Sequence, residues 1–224
     1  MKFKNIIFDF DGTLVDSLPG VVKTFKKAAE ELASKNLEEK EIVCLIGKPL
    51  VQIISILFDT DDEFLVQRGC ALFKKYYGKE GVYQNILYPG IKEMLESLKN
   101  QSCQLFVVSN KIDLFMNKIL EQHKLKQYFT AVIGIDGTDK QSKKADYVKR
   151  LITRYKLKKK ETVIVGDTEN DIIAAKENYI YGIGITWGYG LESDLIEAKA
   201  DGICHSPLEL KHFIVKNNGK RKTA

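Results

Sequence analysis

Two acids two residues apart, Asp9 and Asp11, follow a short apolar run near the start of this 224-residue sequence, and Gly12 and Thr13 come directly after them. In extended chain, residues i and i+2 point to the same side. Two carboxylates held that close resist joint ionisation, so either a cation neutralises them or one keeps a proton. A third acid, Asp167, follows another apolar run, with Asp171 four residues on. Adding Asp167 to the pair makes an oxygen-rich set suited to Mg²⁺, and phosphate chemistry is its natural use. Gly12 can take backbone conformations closed to other residues and lets its N–H approach a phosphate oxygen, while Thr13 adds a hydroxyl. Ser109, at the end of a further run, is another donor. A lysine of the pair Lys143-Lys144 supplies the positive charge that phosphoryl transfer needs.

Strands must carry these residues to one place. Five apolar runs without alternation read as strands of a parallel sheet buried on both faces: Ile6 to Phe8, Leu105 to Val108, Ala131 to Ile133, Thr162 to Val165 and Tyr181 to Ile185. Helical patterning separates most of them, which predicts a doubly wound α/β sheet. In open α/β sheets ligands bind beyond the carboxyl ends of the strands, and there this sequence is unusually polar. The stretch from Ser17 to about Gln84 breaks the alternation. It has helix-like patterning and no convincing buried strand, with breaks at Gly47-Lys48-Pro49, Gly78 and Tyr88-Pro89-Gly90. The predicted division is a core of residues 1–16 and 85–224 with a helical insertion of residues 17–84.

The string from Asp9 to Ser17, Asp-Phe-Asp-Gly-Thr-Leu-Val-Asp-Ser, resembles the first motif of the haloacid dehalogenase superfamily. Val107-Val108-Ser109-Asn110 resembles the second motif, Lys144 the third, and the segment from Val165 to Asp171 the fourth, in the family's order. The resemblance implies a Rossmann-like parallel-sheet core and, since the insertion lies between the first and second motifs, a helical cap of the type found in phosphoglycolate phosphatases. It further implies a Mg²⁺-dependent hydrolase of small phosphomonoesters. Asp9 would be the nucleophile that forms an aspartyl-phosphate, and Asp11 the acid and then the base. Gly12, Thr13, Ser109, Asn110 and Lys144 would bind the phosphoryl group. Asp9, Asp167 and the backbone carbonyl of Asp11 would ligate the metal, with Asp171 behind them orienting metal waters or Lys144. Lys143 stands beside Lys144, and the spacing favours Lys144. Lys48 resembles a cap-loop contact to an anionic substrate. Trp187-Gly188-Tyr189-Gly190, after the last run, reads as structural. A phosphomutase of the same superfamily is the enzymatic alternative, and a non-catalytic phospho-ligand-binding protein the alternative of another class. Asp11 argues against a dehalogenase, which needs no metal and no second acid.

Composition sets the remaining expectations. The chain is 44% hydrophobic and 29% charged, ordinary for a packed globular protein. Its net charge of +5 gathers partly in Lys158-Lys159-Lys160 and in the tail from Lys216 to Lys222, without interleaved aromatics. These read as a solvated helix end and a frayed terminus, not a nucleic-acid surface. The scattered Cys44, Cys70, Cys103 and Cys204 form no metal-ligand pattern and read as buried apolar residues or free thiols. The start of the chain reads as neither a signal peptide nor a membrane span, which predicts a cytoplasmic protein whose partner is a small phosphorylated metabolite. A monomer or a homodimer is expected.

Overall fold

The structure is a computed structural model that describes residues 3–33, 35–135 and 143–219. Of the basic tail expected to fray, Lys220 to Lys222 lie outside the described residues. In chain order the elements are β1 (Asn5–Phe8), β2 (Val15–Asp16), α1 (Leu18–Ala33), α2 (Glu39–Val43), α3 (Leu50–Phe58), α4 (Glu63–Lys79), β3 (Ile86–Leu87), α5 (Ile91–Asn100) and β4 (Gln104–Ile112). Then follow α6 (Asp113–Gln122), β5 (Ala131–Ile135), α7 (Lys144–Arg154), β6 (Thr162–Gly166), α8 (Glu169–Glu177), β7 (Tyr181–Ile185), α9 (Glu192–Glu197), β8 (Gly202–Cys204) and α10 (Pro207–Gly219).

All five expected runs are strands of one parallel sheet, in the order β5-β4-β1-β6-β7-β8. The sixth strand, β8, escaped the sequence reading because Gly202-Ile203-Cys204 is too short to show a run. Alternate side chains serve opposite faces, and both faces are covered. Ile6, Phe8, Val107 and Val165 join one core with helix residues such as Leu95 and Ile119, whereas Ile7, Phe106, Val108 and Ile164 join another with Val148, Leu151 and Ala174. Ile6, Ile7 and Phe8 are wholly buried, worth roughly 1.5–3 kcal/mol each in transfer free energy. That is why these runs lack the polar alternation of a half-exposed strand.

The sheet order reverses direction at β1. From it the chain winds outward through β4 and β5 on one side and through β6, β7 and β8 on the other. Such a reversal opens a crevice at the strand ends, because the helices on either side diverge. Register then fixes what meets there. Phe8 pairs with Val107 of β4 and Val165 of β6, so Asp9, Ser109 and Asp167 all emerge just beyond the same level of the sheet.

After β1 the chain makes a small antiparallel pair, with Val15 opposite Leu87 and Asp16 opposite Ile86. Between these two strands every element is helical. Helix α1 packs along α4, and α3 also lies against α4. Phe25, Phe73 and Tyr77 form a ring ladder at that seam, with centroids 4.4 and 5.2 Å apart.

Candidate active site

Asp9 leaves β1 with its backbone N–H donating to the Val165 carbonyl, which holds it in line with the sheet. Its side chain is 3% exposed. Oδ2 lies 2.9 Å from the Lys144 ammonium, while the buried Oδ1 has no hydrogen-bond partner. Burial raises the Asp9 pKa to about 6; Lys144 pulls it down and Asp171 pushes it up.

Lys144 is the first residue of α7, and its Nζ also sits 2.7 Å from Asp171 Oδ1. Of the adjacent lysines, Lys144 is the one whose ammonium reaches the acids. Lys143 is exposed, at the N-cap of the same helix, where its N–H donates to Asp146. Burial works against the Lys144 charge, yet Asp171 and Asp9 outweigh it and hold the pKa above the ordinary lysine value.

Asp171 does two jobs at once. Oδ1 takes Lys144, and Oδ2 accepts from the Thr168 N–H at 3.2 Å and its hydroxyl at 2.9 Å, closing a capping box at the start of α8. Asp167, fully buried, accepts from the Thr13 hydroxyl at 3.0 Å and from the Tyr189 N–H at 2.9 Å. Burial, with Asp9 and Asp171 adding to it, lifts its pKa to about 7.

Gly12 has φ of +78°, and a Cβ there would lie 2.2 Å from Asp167 Oδ2. Only glycine fits, so the turn after Asp11 can press against the acid from the other strand. The loop after β7 closes the far side. At Gly188 a Cβ would stand 2.4 Å from both Asp167 Cβ and the Gly12 carbonyl, and Trp187 Nε1 donates to the Thr13 carbonyl at 3.0 Å. Tyr189 extends this contact to the start of α1: its hydroxyl accepts from the Ser17 and Leu18 N–H groups at 2.8 and 3.2 Å and donates to Asp16 at 2.8 Å.

Among the described residues, oxygens of Asp9, Asp167 and Asp171 lie within 4.8 Å of one another. The set fits a hard divalent cation on two counts. Its donors are all oxygen, and Asp9 Oδ1 is a buried acceptor left without a partner. Ionised, three carboxylates against one ammonium also leave two negative charges to balance.

Asp11 faces the other way. Its carboxylate accepts from the Ser17 hydroxyl at 2.6 Å and from Lys111 Nζ at 2.9 and 3.1 Å. Lys111 in turn donates to the Tyr77 hydroxyl of α4 at 2.9 Å. Ser109 is buried at the strand end, its hydroxyl accepting from the Lys111 N–H at 3.3 Å. The Asn110 amide donates to the Gly47 carbonyl at 2.7 Å. Lys48 follows Gly47, and both line a cavity of about 70 Å³ with Asp9, Asp11, Ser109, Asn110 and Lys111. The opposite wall is apolar, formed by Val21, Phe25, Ile53, Phe73 and Phe115.

Sequence reasoning gave Lys111 and Tyr77 no role, took Ser17 only as the end of the first motif, and read Tyr189 as structural, as its bonds to Ser17, Leu18 and Asp16 bear out. Lys111 stood directly behind Ser109-Asn110 and carried a signal; Tyr77, one aromatic among many on an amphipathic helix, carried none.

Comparison with known proteins agrees with this geometry. A sequence model of the family described as haloacid dehalogenase-like hydrolase matches residues 6–185. The chain is 32% identical to a phosphoglycolate phosphatase of Vibrio parahaemolyticus, over 94% of this chain and 96% of that one. It is 27% identical to a 5'-nucleotidase of Pseudomonas aeruginosa, over 87% and 88%. The crystal structure of a predicted phosphatase from Clostridium acetobutylicum superposes with a TM-score of 0.90 at 30% identity, covering 96% of this chain and all of the other. No helix among the described residues is long and apolar enough to cross a membrane.

Proposed function

The chain belongs to the haloacid dehalogenase-like hydrolases, and from that premise we propose that it is a Mg²⁺-dependent phosphatase of small phosphomonoesters, with Asp9 as nucleophile. The observation that carries this reading is the state of Asp9: a buried carboxylate with one oxygen on Lys144 and the other unpartnered, at the strand end where Ser109 and Asp167 converge.

In the proposed reaction a carboxylate oxygen of Asp9 forms a bond to phosphorus as the ester P–O bond breaks. Asp11, protonated at that moment, gives its proton to the departing alkoxide. Asp11, then a carboxylate, takes a proton from water as the water oxygen attacks phosphorus. The acyl-phosphate bond breaks, and inorganic phosphate leaves with Asp9 restored. Lys111 and Ser17 hold the Asp11 carboxyl in place at the cavity that Asp9 also lines. Asp9, Asp167 and the Asp11 carbonyl would hold Mg²⁺, with Asp171 beside them; bound there, the ion supplies positive charge to the phosphoryl oxygens. Ser109 would face those oxygens, whereas the Gly12 N–H, expected to do so, donates to the Val15 carbonyl at 2.9 Å and the Thr13 hydroxyl to Asp167 at 3.0 Å. Lys144 offsets charge on Asp9 and on the incoming phosphate while Asp171 fixes its position.

The helices α1–α4 act in this reading as a cap, residues 17–84, over a core of residues 1–16 and 85–224. Core-to-cap bonds support it, from Asn110 to Gly47, Lys111 to Tyr77, Ser17 to Asp11, and Ser17 and Leu18 to Tyr189. The names of the relatives put phosphoglycolate first among substrates to test, with nucleoside 5'-monophosphates next. The test is phosphate release from a metabolite panel with and without Mg²⁺, using wild type and Asp9→Asn. Wild type is expected to release phosphate only with the metal, and Asp9→Asn to be inactive. Mg²⁺-dependent turnover by Asp9→Asn would sink the assignment.

A further inference from the structure

Lys111 is a second buried ammonium in the site, on the side away from Lys144. Its side chain is 6% exposed. Its three donors are all placed, at 2.9 and 3.1 Å from the two carboxylate oxygens of Asp11 and 2.9 Å from the Tyr77 hydroxyl. Burial opposes the charge, but Asp11 and Tyr77 outweigh it and hold the pKa above the ordinary lysine value. An ammonium so committed has no donor left for a substrate. What it can do is hold Asp11.

The structure around it is shaped for that task. Strand β4 pairs regularly with β5 up to Val108, and the register shifts before Ile112, so Ser109, Asn110 and Lys111 lie in an irregular stretch of the kind that re-aims side chains. On the far side Tyr77 is fully buried in α4, its ring stacked on Phe73 at 5.2 Å and edge-on to Phe115 of α6 at 5.1 Å. A ring gripped on two sides keeps its hydroxyl at a fixed point. Lys111 is thereby held between a core acid and a residue of the helical segment.

Counting acceptor sites singles out one atom of Asp11. A carboxylate oxygen offers two lone pairs. Oδ1 takes both the Ser17 hydroxyl at 2.6 Å and Lys111, whereas Oδ2 takes Lys111 alone. Oδ2 is the oxygen with a lone pair left to carry a proton, on a residue that lines the cavity with Asp9. The χ2 torsion of an aspartate is soft, so one bond from Ser17 leaves the carboxyl plane free to rotate. Lys111, bound to both oxygens, fixes it.

We propose that Lys111 and Tyr77 are positioning residues for leaving-group protonation. Tyr77 seats Lys111, and Lys111 sets the plane of the Asp11 carboxyl so that Oδ2 passes its proton to the alkoxide oxygen as the ester P–O bond breaks. The inference rests on the phosphatase reading and adds to it a residue of the helical segment that acts on the chemistry through a core lysine. A leaving group that departs as a stable anion needs no proton, and toward it the pair has nothing to contribute.

The test compares kcat/KM, which covers the steps up to departure of the leaving group, for ethyl phosphate and acetyl phosphate with Mg²⁺, after subtraction of spontaneous hydrolysis. The two are alike in size; ethoxide must be protonated, and acetate need not be. The readout is the ratio of ethyl to acetyl. Asp11→Asn is expected to lower it by about a hundredfold or more, the weight of a general acid. Lys111→Met is expected to lower it about tenfold to a hundredfold, the cost of a misplaced group, and Tyr77→Phe about threefold to tenfold, the worth of one hydrogen bond. The double variant Asp11→Asn with Tyr77→Phe is expected to fall no further than Asp11→Asn alone, because Tyr77 acts only through Asp11. A purely structural role would slow both substrates alike and leave the ratio where it was. Tyr77→Phe keeps the ring and decides the matter if Lys111→Met does not fold. An unchanged ratio in Tyr77→Phe, or a further fall in the double variant, overturns the proposal and leaves the phosphatase reading in place. Wild type that cleaves acetyl phosphate alone has no working acid, which also overturns the proposal; release of phosphate from neither substrate overturns the phosphatase reading with it.

Discussion

Replacing Gly12 by alanine should damage this protein far more than one methyl group suggests. The new Cβ would stand 2.2 Å from Asp167 Oδ2 and 2.7 Å from its Cγ, where real Cβ contacts essentially never fall below 3.0 Å. Either the carboxylate recedes by the better part of an ångström or the turn after Asp11 opens. Recession stretches the bonds that Asp167 accepts from Thr13 at 3.0 Å and from the Tyr189 N–H at 2.9 Å, and each hydrogen bond to a charged group is worth about 1.5–3 kcal/mol. A φ of +78° adds about 1–2 kcal/mol for a residue with a Cβ. One bond lost together with the backbone strain gives about 2.5–5 kcal/mol, a large share of the ~5–15 kcal/mol that holds a domain folded. Urea unfolding of metal-free wild type and Gly12→Ala should show that difference at equal slope, and calorimetric titration should show weaker Mg²⁺ binding by the variant. A stability change below about 1 kcal/mol with unaltered Mg²⁺ affinity would refute the argument, since the turn would then not be pressed against Asp167.

Two further outcomes are expected. Burial lifts Asp167 to a pKa of about 7 and Asp9 to about 6, from an ordinary 3.8. A carboxyl whose folded pKa is raised stabilises most below its unfolded pKa, and that contribution is lost as the pH climbs through the folded one. Metal-free wild type should therefore lose stability between about pH 4 and pH 7 relative to Asp167→Asn, and Mg²⁺ should restore wild type but not the variant; thermal melts across that range in which wild type gains on the variant would contradict the burial argument. Lys144→Met leaves Asp9 and Asp171 without their shared partner and is expected to cost about 3–5 kcal/mol in urea unfolding, against less than about 0.5 kcal/mol for the exposed Lys143→Met. The reverse order would show that the wrong lysine had been matched to the acids.

The strands were legible because being buried on both faces leaves a plain mark in sequence: Ile6-Ile7-Phe8 and Val163-Ile164-Val165 contain no polar interruption. The strand-end argument then pointed to Asp9, Ser109 and Asp167, since each follows within two residues of its apolar run; the register that sets them at one level came with the structure. What it left out depends on contacts between distant segments. Nothing in the order of residues tells that Tyr77 lies 2.9 Å from Lys111, 34 positions away, or that Tyr189 reaches Ser17 across 172 positions. Asp171 was expected to orient metal waters or Lys144, and it also caps α8. Its two oxygens let it do both.

The reach of Tyr189 limits how this fold can be recombined. Its N–H holds Asp167 and its hydroxyl holds the first residues of α1, so one side chain fastens the helical segment to the acid cluster. Residues 17–84 are for that reason not a free cassette, although they are contiguous and joined to the rest by a two-stranded neck. A chimera that imports this segment from a relative supplies those two backbone N–H groups with any non-proline residues, but must start its first helix at the same place for the Tyr189 hydroxyl to meet them. The seating of the segment over the acids in such hybrids would then depend on two separated places in the sequence, only one of them in the segment that was swapped.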